Sequence, residues 1–282
     1  MPPSLQPLLA LLDLETIDVD LYRGRSPETN RQRVFGGQVA GQALIAAGRT
    51  VQEDRFVHSL HAYFLRPGDA GVPIVYEVDR IRDGGSFTTR RVVAKQRGQA
   101  IFHLSASFQV DEKGLSHQRP MPSAPDPRSL PRLEDVATAH DPIAAQIAEY
   151  SAIDLRYAPA TRDEVDGPLT QQQVWFRATE TLPDDRLLHV CVAAYASDLT
   201  LLVAALLPHD RRPGQLQMAS LDHAMWFHRP FRADEWLLYD QSTPSTSGGR
   251  GLATGYLYTD AGDLVVSVMQ EGLMRPRDPS RG

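Results

Sequence analysis

The chain has 282 residues, 42% of them hydrophobic and 23% charged, which is ordinary globular composition and enough for one or two domains with a packed core. The net charge of −6 is uneven: positions 1–110 hold 13 basic and 11 acidic side chains and the remainder 16 and 24, so the halves stand at +2 and −8, and the basic footprint that nucleic acid needs is missing. No run approaches the roughly 18 uncharged apolar residues of a bilayer span, the N-terminus lacks the basic-then-apolar order of a signal peptide, and Asp278–Gly282 is not a peroxisomal address, which predicts no membrane span.

Residues 4–16 open with a short amphipathic pattern of leucines, and Leu21–Arg25 reads as a strand. From Phe35 to Gly48 the sequence carries no charge and is rich in Ala and Gly, so as a helix it is buried nearly all round. Its glycines weaken an isolated helix and serve instead for close backbone approach. Residues 57–65, 73–82, 86–96 and 100–110 then read as four strands, with turns at Asp83-Gly-Gly85 and Arg97-Gly98. Consecutive strands with tight turns imply an antiparallel sheet. A long buried helix followed by an antiparallel sheet that wraps it is the hot-dog arrangement.

Positions 111–171 contain eight prolines and a helix-like stretch from Pro142 to Tyr150, which marks a partly ordered connector. A second unit begins at Gln172–Arg177. It passes through an apolar stretch, Val190 to Leu207, in which Asp198 is the only charge, and ends in strands near 236–241, 251–259 and 264–273. The single cysteine, Cys191, lies in this apolar environment; it excludes an internal disulfide and a multi-cysteine metal site and fits a reducing, cytoplasmic setting.

The two halves repeat. Phe64, Arg66 and Pro67 answer Phe227, Arg229 and Pro230 at an offset of 163 residues, which also places Gly85 on Gly248 and Ile101 on Leu264. Run backwards, it places Phe35–Gln38 on Asp198–Leu201, so that 35–48 and 198–207 are the expected core helices. An internal repeat outranks local signals. The expectation is an α+β double hot-dog: an N-terminal unit over 1–110, a Pro-rich connector over 111–171 and a C-terminal unit over 172–282, with the two sheets side by side.

Three polar residues interrupt apolar surroundings. Asp198, read at a helix start, is either a cap or a carboxylate held ionised by the amide dipoles. Gln270 continues the apolar face of Leu264, Val266 and Val268, so its buried amide needs partners or costs on the order of 1–3 kcal/mol. Ser220 is ambiguous by alternation and lacks the Gly-x-Ser-x-Gly elbow of a serine hydrolase. His58, His61, His223 and His228 have no metal-ligand spacing and read as packing and hydrogen-bonding residues.

Six segments together resemble the acyl-CoA thioesterase II (TesB-like) family of double hot-dog hydrolases. They are Val34–Ala43, His58–Gly68, Met121–Pro125, Tyr195–Leu199, Leu221–Pro230 and Gln270–Gly272. The resemblance implies hydrolysis of acyl-CoA to a fatty acid and CoA without a cofactor or metal, through a water positioned by an Asp, a Thr or Ser, and a Gln, here Asp198, Ser220 and Gln270. Serine in the threonine place keeps the hydroxyl and loses the methyl that stiffens the rotamer. Gly36 and Gly37 at a core-helix N-terminus are expected oxyanion donors, and Arg66, Arg90, Arg91 and Arg229 are candidates for the CoA phosphates. Members of this family pair further, which implies a homo-oligomer, a dimer or tetramer. The alternatives are a non-enzymatic acyl-CoA sensor and a hot-dog enoyl-CoA hydratase, which needs an Asp/His pair.

Overall fold

The computed structural model describes residues 4–26, 32–136, 152–159, 169–209 and 215–277; the helix expected at 142–150 lies outside them. The first half contains α1 (Gln6–Leu12), β1 (Glu15–Asp18), β2 (Leu21–Gly24), α2 (Gly36–Gly48), β3 (Arg55–Phe64), β4 (Ile74–Asp83), β5 (Phe87–Gln96) and β6 (Gln99–Val110). The connector carries a 3-10 turn and α3 (Leu133–Val136). The second half contains β7 (Ile153–Tyr157), β8 (Gln171–Ala178), α4 (Arg186–Ser197), α5 (Leu201–Ala204), β9 (Leu216–Ser220), β10 (Asp222–Phe227), β11 (Leu237–Ser247), β12 (Arg250–Thr259) and β13 (Leu264–Pro276). Arg97 and Gly98 both adopt positive φ, at 48° and 77°, which is the two-residue turn that matches strand twist and explains the tight β5–β6 hairpin.

All strands belong to one antiparallel sheet in the order β1-β2-β4-β5-β6-β3-β10-β13-β12-β11-β8-β7, with β9 paired to β13. The halves meet side by side where β3 pairs β10, Leu60 opposite Met225. Each half curls around one core helix, α2 or α4, and the arrangement is a double hot-dog. The apolar residues that alternate along the strands join both helices in one continuous core.

The 163-residue offset holds for the middle strands, since β4 and β11 begin at 74 and 237 and β5 and β12 at 87 and 250. It slips to 164 in the last strand: Ser105 faces His61 as Met269 faces Ala224, so Ile101 answers Val265 rather than Leu264. It fails at the helices. The second core helix is Arg186–Ser197, not 198–207, and Asp198 is its C-cap rather than its start. The physical reason is the unequal connection from core helix to next strand, 49–54 in one half and 198–215 in the other, across which a constant offset cannot hold. The true start carries its own mark, because the Asp185 carboxylate caps α4 by accepting from the Leu187 and Leu188 amides.

The segment Arg186–Ala204, with Arg186 and Asp198 as its charges, has a mean hydropathy of 1.8 and is long and apolar enough to cross a membrane by length and composition alone. It is a core element: 78% of it is buried inside the fold, against α2 and the sheet.

The core helices run antiparallel and touch through glycines. A Cβ on Gly37 would lie 2.4 Å from the Tyr195 carbonyl oxygen, one on Gly41 3.3 Å from that of Cys191, and one on Gly48 against the Leu187 side chain. Alanine within a helix ordinarily gains up to about 1 kcal/mol over glycine. Gly37→Ala is expected to reverse that sign and destabilise by about 1–3 kcal/mol, the scale of overpacking, because the atom it strikes is backbone. Urea unfolding of the two proteins measures this; a variant as stable as the parent would mean that the helices can separate without cost.

Candidate active site

The helix contact sets the site, because it brings the C-cap of α4 to the first turn of α2. Asp198 leaves α4 and turns its carboxylate toward α2, where it accepts the Gly37 N–H. Its Oδ2 lies so close to Gly36 that a Cβ there would stand 2.6 Å away, with the Phe64 ring at 2.9 Å. Only glycine at position 36 leaves room for the acid.

Ser220 and Gln270 arrive from the sheet. The β9–β10 strand is broken at Leu221: Ser220 pairs with Gly272, yet Ala224 pairs with Met269, a register slip of one residue. The Asp222 carboxylate accepts the Glu271 N–H within this bulge at 2.8 Å. A bulge re-aims side chains, and this resolves the alternation that left Ser220 ambiguous. Gln270, fully buried on β13, donates from Nε2 to Asp198 Oδ1 at 2.6 Å and to Ser220 Oγ at 2.9 Å. The Ser220 hydroxyl closes the triangle by donating to Asp198 Oδ1 at 3.3 Å. The three residues named from the sequence are therefore brought together, although up to 72 positions separate them.

Burial pushes the Asp198 carboxyl up to about 6, against the opposing effect of the donors Gln270, Ser220 and Gly37. As whole residues Asp198 and Ser220 are half-buried, while the Asp198 carboxyl itself is withdrawn from solvent, which is what raises it. The Gln270 Oε1 is buried and finds no hydrogen-bond partner among the described residues. An acceptor left in that state costs stability unless something donates to it.

A second layer fixes the turn that carries the acid. Ser197 Oγ meets His223 Nε2 at 2.9 Å and donates to the Ala194 carbonyl, and Tyr239 donates to the Ser197 carbonyl. Gln241 donates to Thr200 Oγ1 while receiving Gln172. Desolvation lowers the His223 ring to about 4, so it is neutral and acts as a hydrogen-bonding strut, as its sequence setting implied. Ser197, Thr200, Gln172 and Gln241 were not singled out from the sequence. Ser197 and Thr200 are polar residues in an apolar stretch, which was the available signal, whereas Gln172 and Gln241 sit among polar neighbours and carried none.

Two expectations are corrected. The Gly37 amide is engaged by Asp198, which leaves Gly36 as the remaining donor of the expected oxyanion pair. Arg90 is 1% exposed and saturated by Thr50, Asp83 and the Arg82 and Thr89 carbonyls, so it cannot meet a phosphate; its strand position faces the core. Arg91 pairs with Asp79 at the surface, Arg66 donates to the Ala100 carbonyl, and Arg229 donates to the Leu264 carbonyl. His58, His61 and His228 pack or bond to Ser107, Trp226 and Ser267. No cluster of metal-ligating side chains occurs among the described residues.

Comparison with known proteins covers both halves. A family profile described as acyl-CoA thioesterase matches residues 145–273, and one described as acyl-CoA thioesterase N-terminal domain matches residues 25–109. The chain is 44% identical over 281 residues to acyl-coenzyme A thioesterase 8 of Mus musculus, covering 94% of this chain and 88% of that protein. It is 38% identical over 283 residues to acyl-CoA thioesterase 2 of Haemophilus influenzae, covering 98% and 99%. The crystal structure of acyl-CoA thioesterase II TesB2 from Mycobacterium marinum superposes with a TM-score of 0.84 at 50% identity, covering 98% of this chain and 99% of that one.

The raised Asp198 value has a consequence for stability. For an acid, a folded-state value above the unfolded one favours the protonated fold, so the contribution is complete below 3.8 and is lost as pH rises through about 6. Asn at this position stays neutral throughout. Asp198→Asn is therefore expected to gain on the parent between pH 4 and pH 7 by about 1–2 kcal/mol, less than the full shift implies because the fold around a buried charge relaxes to solvate it. Urea melts at pH 4.5 and pH 7.5 read this difference, and an unchanged gap between the two proteins would contradict it.

Proposed function

The chain belongs to the acyl-CoA thioesterase family and hydrolyses acyl-CoA thioesters, and from that premise we propose that Asp198, Ser220 and Gln270 carry the reaction by positioning and activating a water molecule. The observation that carries this reading is the closed hydrogen-bonded triangle of the three side chains. A carboxyl titrating near 6 is ionised at neutral pH and more basic than an ordinary aspartate, which suits a general base.

In this scheme water donates one proton to Asp198 as its oxygen attacks the thioester carbonyl carbon. The unpartnered Gln270 Oε1 accepts the second hydrogen and, with Ser220, fixes the direction of attack. The carbonyl π electrons move to oxygen, where the Gly36 amide at the α2 N-terminus is the proposed donor. The tetrahedral intermediate collapses with cleavage of the C–S bond, and Asp198 returns its proton to the departing CoA thiolate. The products are a carboxylic acid and CoA. Bound acyl-CoA is the partner this requires.

The alternatives are less well supported. A hydratase needs histidine beside the acid, whereas His223 bonds to Ser197 and not to Asp198. A sensor without turnover has no use for a carboxylate poised near neutrality. A homo-oligomer is supported by Tyr63 on β3, Leu65 just after it and Met269 on β13, which stay exposed; light scattering on the purified chain tests it.

Thiol release from acyl-CoA measures the reaction. Asp198→Asn is expected to fold and to lose about 10² or more in rate, and Ser220→Ala to lose less. Below pH about 6 the parent's kcat/KM is expected to fall about tenfold per unit as Asp198 takes up its proton. Full activity in Asp198→Asn removes the water-activation scheme, and an acyl adduct on Ser220 seen by intact mass replaces it with a covalent one.

A further inference from the structure

The pair of hot-dog units has two ends, and only one holds the triangle. At the other end, the C-terminus of α2 and the N-terminus of α4 border a cavity of about 820 Å³. Strand and helix equivalences give a counterpart to each of the three site residues, and two of them, Arg49 and Val57, line it. Arg49 is the C-cap of α2 as Asp198 is of α4, and Val57 answers Ser220. Ala106 answers Gln270 by the register of the last strands. The strand break recurs as well, since β3 slips its register between Val57 and Ser59. The cleft has thus been kept while its water-activating side chains are replaced by a cation and two apolar residues.

We infer that this cavity is a second, non-hydrolytic site that binds a long-chain fatty acid, a ligand class whose link to the protein rests on the thioesterase reading. Its volume is that of a small-molecule pocket, and Val51, Val57, Phe108, Leu187, Val190 and Phe227 give it an apolar wall. Arg55 lines it with a side chain only 9% exposed, and neither Nε nor Nη1 of this guanidinium has a hydrogen-bond partner among the described residues. Its other contacts are the Gly84 carbonyl at 3.4 Å from Nη2 and Asp54 at 3.3 Å from Nε. The neighbouring cations are engaged: Arg186 with Asp111 and over the Phe56 ring, Arg49 with Asp13, and Arg229 with the Leu264 carbonyl.

One guanidinium with unfilled donors beside an apolar wall matches one carboxylate on an alkyl chain. The other charges of the cavity are largely answered, Asp111 by Arg186, Asp184 by Arg232 and Asp185 by the Leu187 and Leu188 amides, which leaves Arg55 to receive a single negative charge and no cation cluster for the several phosphates of CoA. The monoanion is also the acid that hydrolysis releases.

Fluorescence titration with cis-parinaric acid, on the full chain, tests the inference. The parent is expected to bind one probe that a non-hydrolysable acyl-CoA thioether, held in the catalytic cleft, does not displace. Arg55→Gln is expected to weaken the probe about tenfold or more. Val110→Glu, at a partly exposed lining position, should do likewise by adding a negative charge, and it serves if Arg55→Gln does not melt cooperatively. Absence of probe binding by the parent, displacement by the thioether, or parental affinity in either folded variant overturns the second site. Thiol release on the same preparation separates the two readings: turnover without probe binding fails this one alone, and probe binding without turnover fails the thioesterase reading alone.

Discussion

The close contact of two antiparallel helices is the constraint on which the rest depends. With Gly37 facing the Tyr195 carbonyl and Gly41 that of Cys191, α2 and α4 approach until backbone meets backbone. That approach puts the end of one helix at the start of the other, so a residue leaving α4 can be received by an amide of α2. Neither hot-dog unit alone could hold Asp198 in this way, since its amide donor is in the first half and its side-chain donors in the second. The joined sheet, β3 beside β10, keeps the two in register.

The electrostatics of the acid follow from the same geometry. At the C-cap of its own helix Asp198 meets carbonyls, which disfavour negative charge, while at the N-terminus of α2 it meets amides, which favour it. Three donors do not outweigh desolvation, and the carboxyl remains near 6. A better-solvated aspartate would be a weaker base and a more deeply buried one would stay protonated at neutral pH. The orientation of Gln270 matters to this balance: Nε2 toward the acid leaves Oε1 turned to where a donor is needed, and a reversed amide would set oxygen against carboxylate.

Much of this was legible in the sequence, in a form that shows where pattern reading stops. Alternation and turn residues located β3 to β6 and β11 to β13 because strand period and tight turns are local properties. The 163-residue offset found the equivalence of the halves because the middle strands have equal connections. It misplaced α4 because the residues after a core helix are free to differ in number, and Asp185 as a cap was the local sign that could have overruled it. The three polar residues came from the family resemblance and from their apolar neighbours, but the bulge that aims Ser220 depends on pairing with β13, which no local window contains. Arg90 looked available because a strand arginine is usually solvated, whereas here Thr50 and Asp83 supply it with partners inside the fold.

Duplication explains why one end of the molecule differs from the other. Two equal halves would give two equal clefts, each made from the C-cap of one helix and the first turn of the other. In this chain the first turn of α2 is Gly36-Gly37, which admits a foreign carboxylate, while that of α4 is Arg186-Leu187 behind its own cap Asp185. Once Asp185 takes the Leu187 and Leu188 amides, the Leu187 N–H, which answers that of Gly37 at the second position of its helix, is not free to hold an acid at position 49, and an arginine there, bound to Asp13 and the Leu14 carbonyl, is the compatible solution. The asymmetry thus rests on which helix start is uncapped by its own side chain, and the fold supplies the cleft at both ends without supplying the chemistry.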